Sequence, residues 1–324
     1  MPQSRLIQIQ DLPNSLWLQD EHVLCLPPAL TTTWTALLDE HSLRSLAERR
    51  RPEIGPTGGA DQDKTDNHLA WSFTGSASRV QLAMLDPHSH LPDVADAFAR
   101  IFAGGRVAMA DLPCGAGAAT LAILTTLAEL RSQSLIPREP LEIVLVGGDF
   151  STRARDYAVN AFARVKPALE RQAIFVEESF HPWNVLEPLS NTDLVQELTA
   201  RSQACAARML VIANFSDFLQ RENKWSEARP QLEELFRHSR AARSSVIWIE
   251  PGWNNANPAH GGFLKRLANW AKNTLMRSFV RSFPDNGEPG EVGRSSANVV
   301  HPLRTNNRFQ TNLAVKRFDL IRSP

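Results

Sequence analysis

An α/β fold with a seven-stranded, mostly parallel sheet flanked by helices is what this chain of 324 residues predicts. Three observations predict it. Short apolar runs alternate with helical segments between residues 106 and 252, the pattern of βαβ units. The first of these runs turns into its helix through small residues, Cys114-Gly115-Ala116-Gly117-Ala118-Ala119. Two late runs, RSSANVVHPL and RFQTNLAVKRFDLI, separated by Arg304, Thr305, Asn306 and Asn307, read as an antiparallel hairpin after the parallel strands.

The elements follow in order. RVAMADL (106–112), LEIVLVGGD (141–149), QAIFVEES (172–179), ARMLVIANF (207–215) and SSVIWIEPG (244–252) read as the strands of a parallel sheet. Helical segments lie between them, the second opening on Ser151 as a plausible N-cap. GGFLKRLANWAKNTLMRSFV (261–280) carries Leu264, Leu267, Ala268, Ala271, Leu275 and Phe279 at helical spacing. The sheet unit starts at residue 93, where a helix begins beside Pro92 and stops at Gly104 and Gly105. Residues 1–92 are expected to form an N-terminal helical cap. Within them RPEIGPTGGADQDKTDNH (51–68), rich in Gly, Pro and Asp, reads as a flexible loop. The expected division is thus 1–92 and 93–324.

Composition narrows the function classes. Hydrophobic residues make up 43% and charged residues 22%, ordinary for a globular domain, and the formal net charge is zero. Bulk charge therefore argues for neither a nucleic-acid nor a membrane partner. Cys25, Cys114 and Cys205 are far apart, no CxxC pair is present, and no metal site is expected. No apolar run has the length of a membrane span, and the first residues lack the apolar core of a signal peptide, so a cytoplasmic protein is expected.

The chemistry concentrates at the strand ends. Asp111-Leu112-Pro113-Cys114-Gly115-Ala116-Gly117 joins the first strand to its helix. Small residues let backbone approach a ligand closely, and a helix N-terminus favours negative charge. A nicotinamide fingerprint, G-x-G-x-x-G, would need a third glycine where Thr120 stands. Asp149, with Phe150 beside it, ends the second strand, where an acid can accept hydrogen bonds from both hydroxyls of a ribose. It follows Asp111 by 38 positions, more than the usual ~20, because the loop RSQSLIPREP (131–140) intervenes. Asn214 ends the fourth strand; its amide can orient a nucleophile, and Asp217 can act as a base or cap a helix. Arg79 stands near a Gly/Ser turn, as a solvated residue or a contact for a carboxylate.

The acid-x-Pro-Cys-Gly-x-Gly run resembles the cofactor loop of class I, Rossmann-like, S-adenosylmethionine-dependent methyltransferases. Proline in place of the first glycine resembles the variant common in nucleic-acid methyltransferases. The resemblance covers residues 93–324, and an antiparallel hairpin closing a five-strand unit is similar to that family's topology. It implies S-adenosylmethionine held by Asp111, Pro113, Gly115, Gly117, Asp149, Phe150 and Asn214. It also implies adenine clasped by Glu178, Ser179 and Phe180 after the third strand. Amino-directed members carry Asp/Asn/Ser-Pro-Pro-aromatic at the fourth strand; here Asn214-Phe215 lacks both prolines. Glu250-Pro251-Gly252-Trp253 resembles methyltransferase-like proteins of the small ribosomal subunit, without their additional cysteines. Trp183 is either core or substrate contact, and Glu250 and Trp253 flank the acceptor side.

Methyl transfer to an N, O or C nucleophile is the activity so implied. The stretch 263–324 holds eleven basic residues against four acidic ones, so Lys265, Arg266 and Lys272 are candidates for an RNA or DNA backbone. The alternatives are a small-molecule acceptor, or a binding subunit that keeps the fold without turnover.

Overall fold

The computed structural model describes residues 5–49, 61–221, 223–252, 263–270, 280–283 and 292–320. The N-terminal part supplies two short strands, β1 (Trp17–Leu18) and β2 (Val23–Leu24), then helices α1 (Pro28–Glu40), α2 (Arg44–Ala47), α3 (Gln62–Trp71), α4 (Phe73–Leu85) and α5 (Pro92–Ile101). The alternating part follows as β3 (Gly105–Asp111), α6 (Ala118–Ser132), β4 (Leu141–Asp149), α7 (Thr152–Glu170), β5 (Ile174–Pro182), α8 (Pro188–Arg201), β6 (Ala207–Ala213), α9 (Ser216–Arg221), α10 (Trp225–His238) and β7 (Ser244–Pro251). The last part contributes α11 (Phe263–Trp270), β8 (Val280–Phe283), β9 (Gly293–His301) and β10 (Arg304–Leu320).

The parallel strands lie in the order β7-β6-β3-β4-β5. The inner strands are apolar because helices cover both faces, and every residue of β7 is buried, whereas the edge strand β5 is only partly buried. One core packs α4, α6 and α7 on one face, through Phe73, Leu121 and Phe162. The other packs α8, α10 and α11 on the opposite face, through Leu194, Phe236 and Leu264. β10 runs antiparallel between β7 and β9, so the C-terminal hairpin closes the sheet as expected. β3 leads outward to β4 and β5, whereas β6 and β7 lie on its other side. The order therefore reverses between β3 and β6, and the crevice beyond their C-terminal ends is where open α/β sheets bind ligands.

Several expectations are corrected. Among the described residues the sheet has ten strands rather than seven, because β1 and β2 extend the β9 edge and β8 pairs with β10. The N-terminal segment is not a separate helical cap. Twelve of the thirteen residues of α4 are buried, and Trp34 and Phe73 belong to the same core as Phe98 and Leu121. Part of the expected loop 51–68 is helix α3, which Asp61 caps by accepting from the backbone N–H of Lys64 at 2.8 Å. Residues 51–60 lie outside the described residues. The hairpin turns at Pro302-Leu303, since Arg304 already pairs with His301, and the polar run Thr305–Asn307 is a bulge within β10. The expected helix 261–280 is observed over Phe263–Trp270, with Leu264 and Leu267 fully buried as the spacing requires, but Val280 already belongs to β8.

Candidate active site at the reversal of strand order

Asp111 ends β3 with 1% of its surface exposed. Its Oδ2 accepts from the Thr120 hydroxyl at 2.7 Å and from the Thr120 backbone N–H at 3.3 Å, so the acid grips the first turn of α6. Its Oδ1 is buried with no hydrogen-bond partner among the described residues. Burial is the main cause that pushes its carboxyl up to about 7, opposed by the bonds from Thr120. Asp149, at the end of β4, accepts from the Gly115 N–H at 2.9 Å through one oxygen and from the Ser151 N–H at 2.8 Å through the other. Its carboxyl is raised by burial, against the pull of those two bonds. The buried Asp111 and the half-buried Asp149 thus fasten the loop between β3 and α6 at its two ends, at Thr120 and at Gly115.

The two loop glycines differ. Both have left-handed backbone, with φ of 52° at Gly115 and 79° at Gly117. A Cβ at Gly115 would meet nothing within 4 Å, whereas one at Gly117 would meet Phe162 at 3.3 Å, Leu121 at 3.5 Å and Ala158 at 3.6 Å. Gly115 therefore faces open space beside the two acids, and Gly117 serves the packing of α6 on α7. Pro113 follows a cis peptide bond within this loop. Phe150, next to Asp149, is 62% exposed. Open space at Gly115 thus lies next to Asp149 and the exposed Phe150, while Asp111 sits buried beneath the loop with one orphaned carboxylate oxygen.

At the third strand the expectation shifts. β5 runs to Pro182, which pairs with Asp149, so Glu178 and Ser179 lie within the strand rather than beyond its end. Glu178 pairs with Lys166 at 3.4 Å, the Ser179 hydroxyl donates to the Leu145 carbonyl at 3.3 Å, and Phe180 packs over Gly147. None of the three therefore sits at the strand end, where an adenine clasp was expected. Trp183 is 3% exposed and donates from Nε1 to Asn191 Oδ1 at 3.2 Å, which makes it core rather than substrate contact.

The β6 and β7 ends form a second polar cluster. Asn214 has left-handed backbone, φ 57°, a conformation asparagine tolerates better than most residues. Its Oδ1 accepts from Arg79 Nε at 3.1 Å and Nη2 at 2.6 Å, and its Nδ2 donates to the Ser76 hydroxyl at 3.0 Å. Arg79 is 7% exposed on α4, so it is neither solvated nor remote. Glu250 is fully buried. Its Oε1 accepts from the N–H groups of Phe215 at 3.0 Å and Ser216 at 2.8 Å and from Trp248 Nε1 at 2.6 Å. Burial pushes its carboxyl up to about 7, against those bonds. Glu250 thus fastens the chain after β6 and is out of reach of a substrate. Asp217 is half-buried in the first turn of α9. Arg266 is exposed on α11 and donates to Gln220 at 3.3 Å; Lys265 lies in the same helix. Trp253 and Lys272 lie outside the described residues.

A cleft at the opposite end of the sheet, about 210 Å³ and lined by Arg106, Glu142, Lys166 and Glu177, is remote from these groups. It is a solvated ion-pair surface, with Arg106 bridging Glu142 and Glu177. Among the described residues no group of three or more His, Cys, Asp or Glu side chains is placed to hold a metal, and no helix is long and apolar enough to cross a membrane.

No protein-family profile matches the chain, and no curated protein is significantly similar to it. Among solved structures it is similar to a candidate RNA methyltransferase from Pyrococcus horikoshii, with 12% identity, a TM-score of 0.35, and coverage of 73% of this chain and 85% of that one. At that identity and score the likeness assigns neither an activity nor a partner.

Proposed function

We propose that this chain binds S-adenosylmethionine at the C-terminal ends of β3 and β4 and transfers its methyl group to a nucleophilic N, O or C atom, with a nucleic acid as acceptor. The observation that carries the reading is the loop at Gly115, open on one side and held on the other by Asp111 and Asp149. Asp149 keeps acceptor capacity on both oxygens after its two backbone bonds, since a carboxylate offers about four lone-pair positions. That capacity suits a ribose diol, with Phe150 beside it for a ring face. Asp111, buried like Glu250, supports that loop from beneath through Thr120 and does not itself face the donor. The hairpin β9–β10 closing a five-strand parallel unit agrees with the topology of class I methyltransferases.

When bound, the donor supplies an activated methyl group, and the protein's task is to orient the acceptor and remove a proton where one must leave. Asn214 is not free to orient the acceptor. Its amide oxygen is saturated by two bonds from Arg79, and its Nδ2 donates to Ser76, so it shapes the crevice instead. Asp217 remains the proposed base.

The same saturation favours a second reading, a binding subunit that holds the donor without turnover. Calorimetry with S-adenosylmethionine, S-adenosylhomocysteine and NADH, followed by incubation of RNA with radiolabelled donor, tests both. Binding of the first two ligands with label transfer supports the enzyme; binding without transfer to any acceptor supports the subunit. Binding of NADH alone would overturn both.

A further inference from the structure

The hairpin that closes the sheet is longer than closure requires. β10 pairs with β7 as far as Leu313 opposite Pro251, yet it begins at Arg304. On β9, Ser296–His301 lies beyond the same level, because Ser295 is the residue opposite Leu313. At ~3.3 Å per residue the ribbon rises about 20 Å past the end of β7. It rises from the edge that holds the candidate site. The Ser78 hydroxyl donates to Thr311 Oγ1 at 3.0 Å, one residue from Arg79, and Asn312 packs against Gly252.

The two faces of the ribbon are unlike. Ala297, Val299 and Thr311 are buried, and Phe309 is packed against the main core. On the other face Arg294, Ser296, Asn298, Arg308 and Gln310 are exposed, and its apolar content is the half-buried Val300. Asn298 stands directly opposite Gln310. Residues 293–312 include Arg294, Arg304 and Arg308 and no acidic residue; Glu21 pairs with Arg308 at 3.2 Å. Three arginines against Glu21 leave the ribbon net positive in a chain of zero net charge.

We infer that this face of the β9–β10 ribbon is a docking surface for single-stranded nucleic acid, which it leads to the crevice between β3 and β6. The inference rests on the reading above that the acceptor is a nucleic acid. Guanidinium groups meet phosphates, and amide side chains both donate to and accept from base edges. A stable protein partner would call for aromatic or aliphatic anchors at the centre of the face, and none is exposed there.

The test uses the full chain, a fluorescein-labelled single-stranded RNA of mixed sequence and the matching DNA, with binding read by anisotropy across a salt series. Asn298→Lys should tighten binding and steepen the log–log salt slope by about 0.7, the value for one added phosphate contact. A damaged fold would not produce that gain. Arg308→Gln should flatten the slope by about 0.7, and Asn298→Glu should weaken binding. Calorimetry with S-adenosylhomocysteine should be unchanged in all three. RNA and DNA binding that ignores all three substitutions, or that is absent at low salt while the donor analogue still binds, overturns the docking surface. Loss of donor-analogue binding in the wild type overturns the methyltransferase reading instead, and the anisotropy series stays readable without it.

Discussion

The two halves of the crevice use buried polar groups in opposite ways. At the β3–β4 ends, Asp111 and Asp149 hold backbone N–H groups of the loop and of α6, and the space above Gly115 stays open. At the β6–β7 ends, side chains hold one another: Arg79 and Ser76 take up the amide of Asn214, and Glu250 takes up Phe215, Ser216 and Trp248. Each half contains one buried acid with an unpartnered oxygen, Asp111 Oδ1 or Glu250 Oε2, so burial alone does not separate them. The difference lies in what the surroundings leave free. The first half leaves open space at Gly115, where we propose the donor binds, and the second is tied up by its own side chains.

The contrast breaks most visibly if the second half is unlocked. Arg79→Leu removes two charge-assisted bonds and leaves the Asn214 carbonyl oxygen unsatisfied. The cost should be about 3–5 kcal/mol of unfolding free energy, read by urea denaturation. A loss below about 1 kcal/mol would mean that the bridge is not a lock.

Next in size is a pH effect. Burial raises the Glu250 carboxyl from 4.5 to about 7. A raised folded-state pKa gives stability that is complete below the unfolded value and lost as the pH climbs through the folded one. Glu250→Gln should therefore remove on the order of 3 kcal/mol of stability change between pH 4.5 and 7, seen as a flatter dependence of Tm on pH. An unchanged profile would place the ionisation elsewhere. Asp111, Asp149 and Asp86 shift in the same direction and should supply the slope that remains.

The first half is sharpened by Asp149→Ala. Loss of a charge-assisted acceptor, worth roughly 1.5–3 kcal/mol, should weaken S-adenosylhomocysteine binding about tenfold or more. Equal affinity in a calorimetric comparison would leave Asp149 as a loop fastener only.

The first half was also the more legible in the sequence. Asp111, Gly115 and Asp149 stand next to apolar runs long enough to place them at strand ends, and their contacts are made within or beside one βαβ unit. The second half depends on distant partners. Arg79 meets Asn214 across 135 positions, and no local pattern distinguishes it from a solvated arginine. α3 was unreadable for a similar reason. Its polar sequence is helical because Asp66 accepts from Arg153 and Tyr157 on α7. β1 and β2 are two residues each, too short to show a period. The polar run Thr305–Asn307 carries turn residues, but the register spends them on a bulge.

The central claim, that the open space at Gly115 is a donor site, is tested most directly by Gly115→Asn. Asparagine tolerates the left-handed backbone found there, and its side chain would enter the space that a Cβ finds empty. Calorimetry with S-adenosylmethionine should show binding in the wild type and none in the variant, with Tm nearly unchanged. Undiminished binding by a folded Gly115→Asn protein would contradict the account.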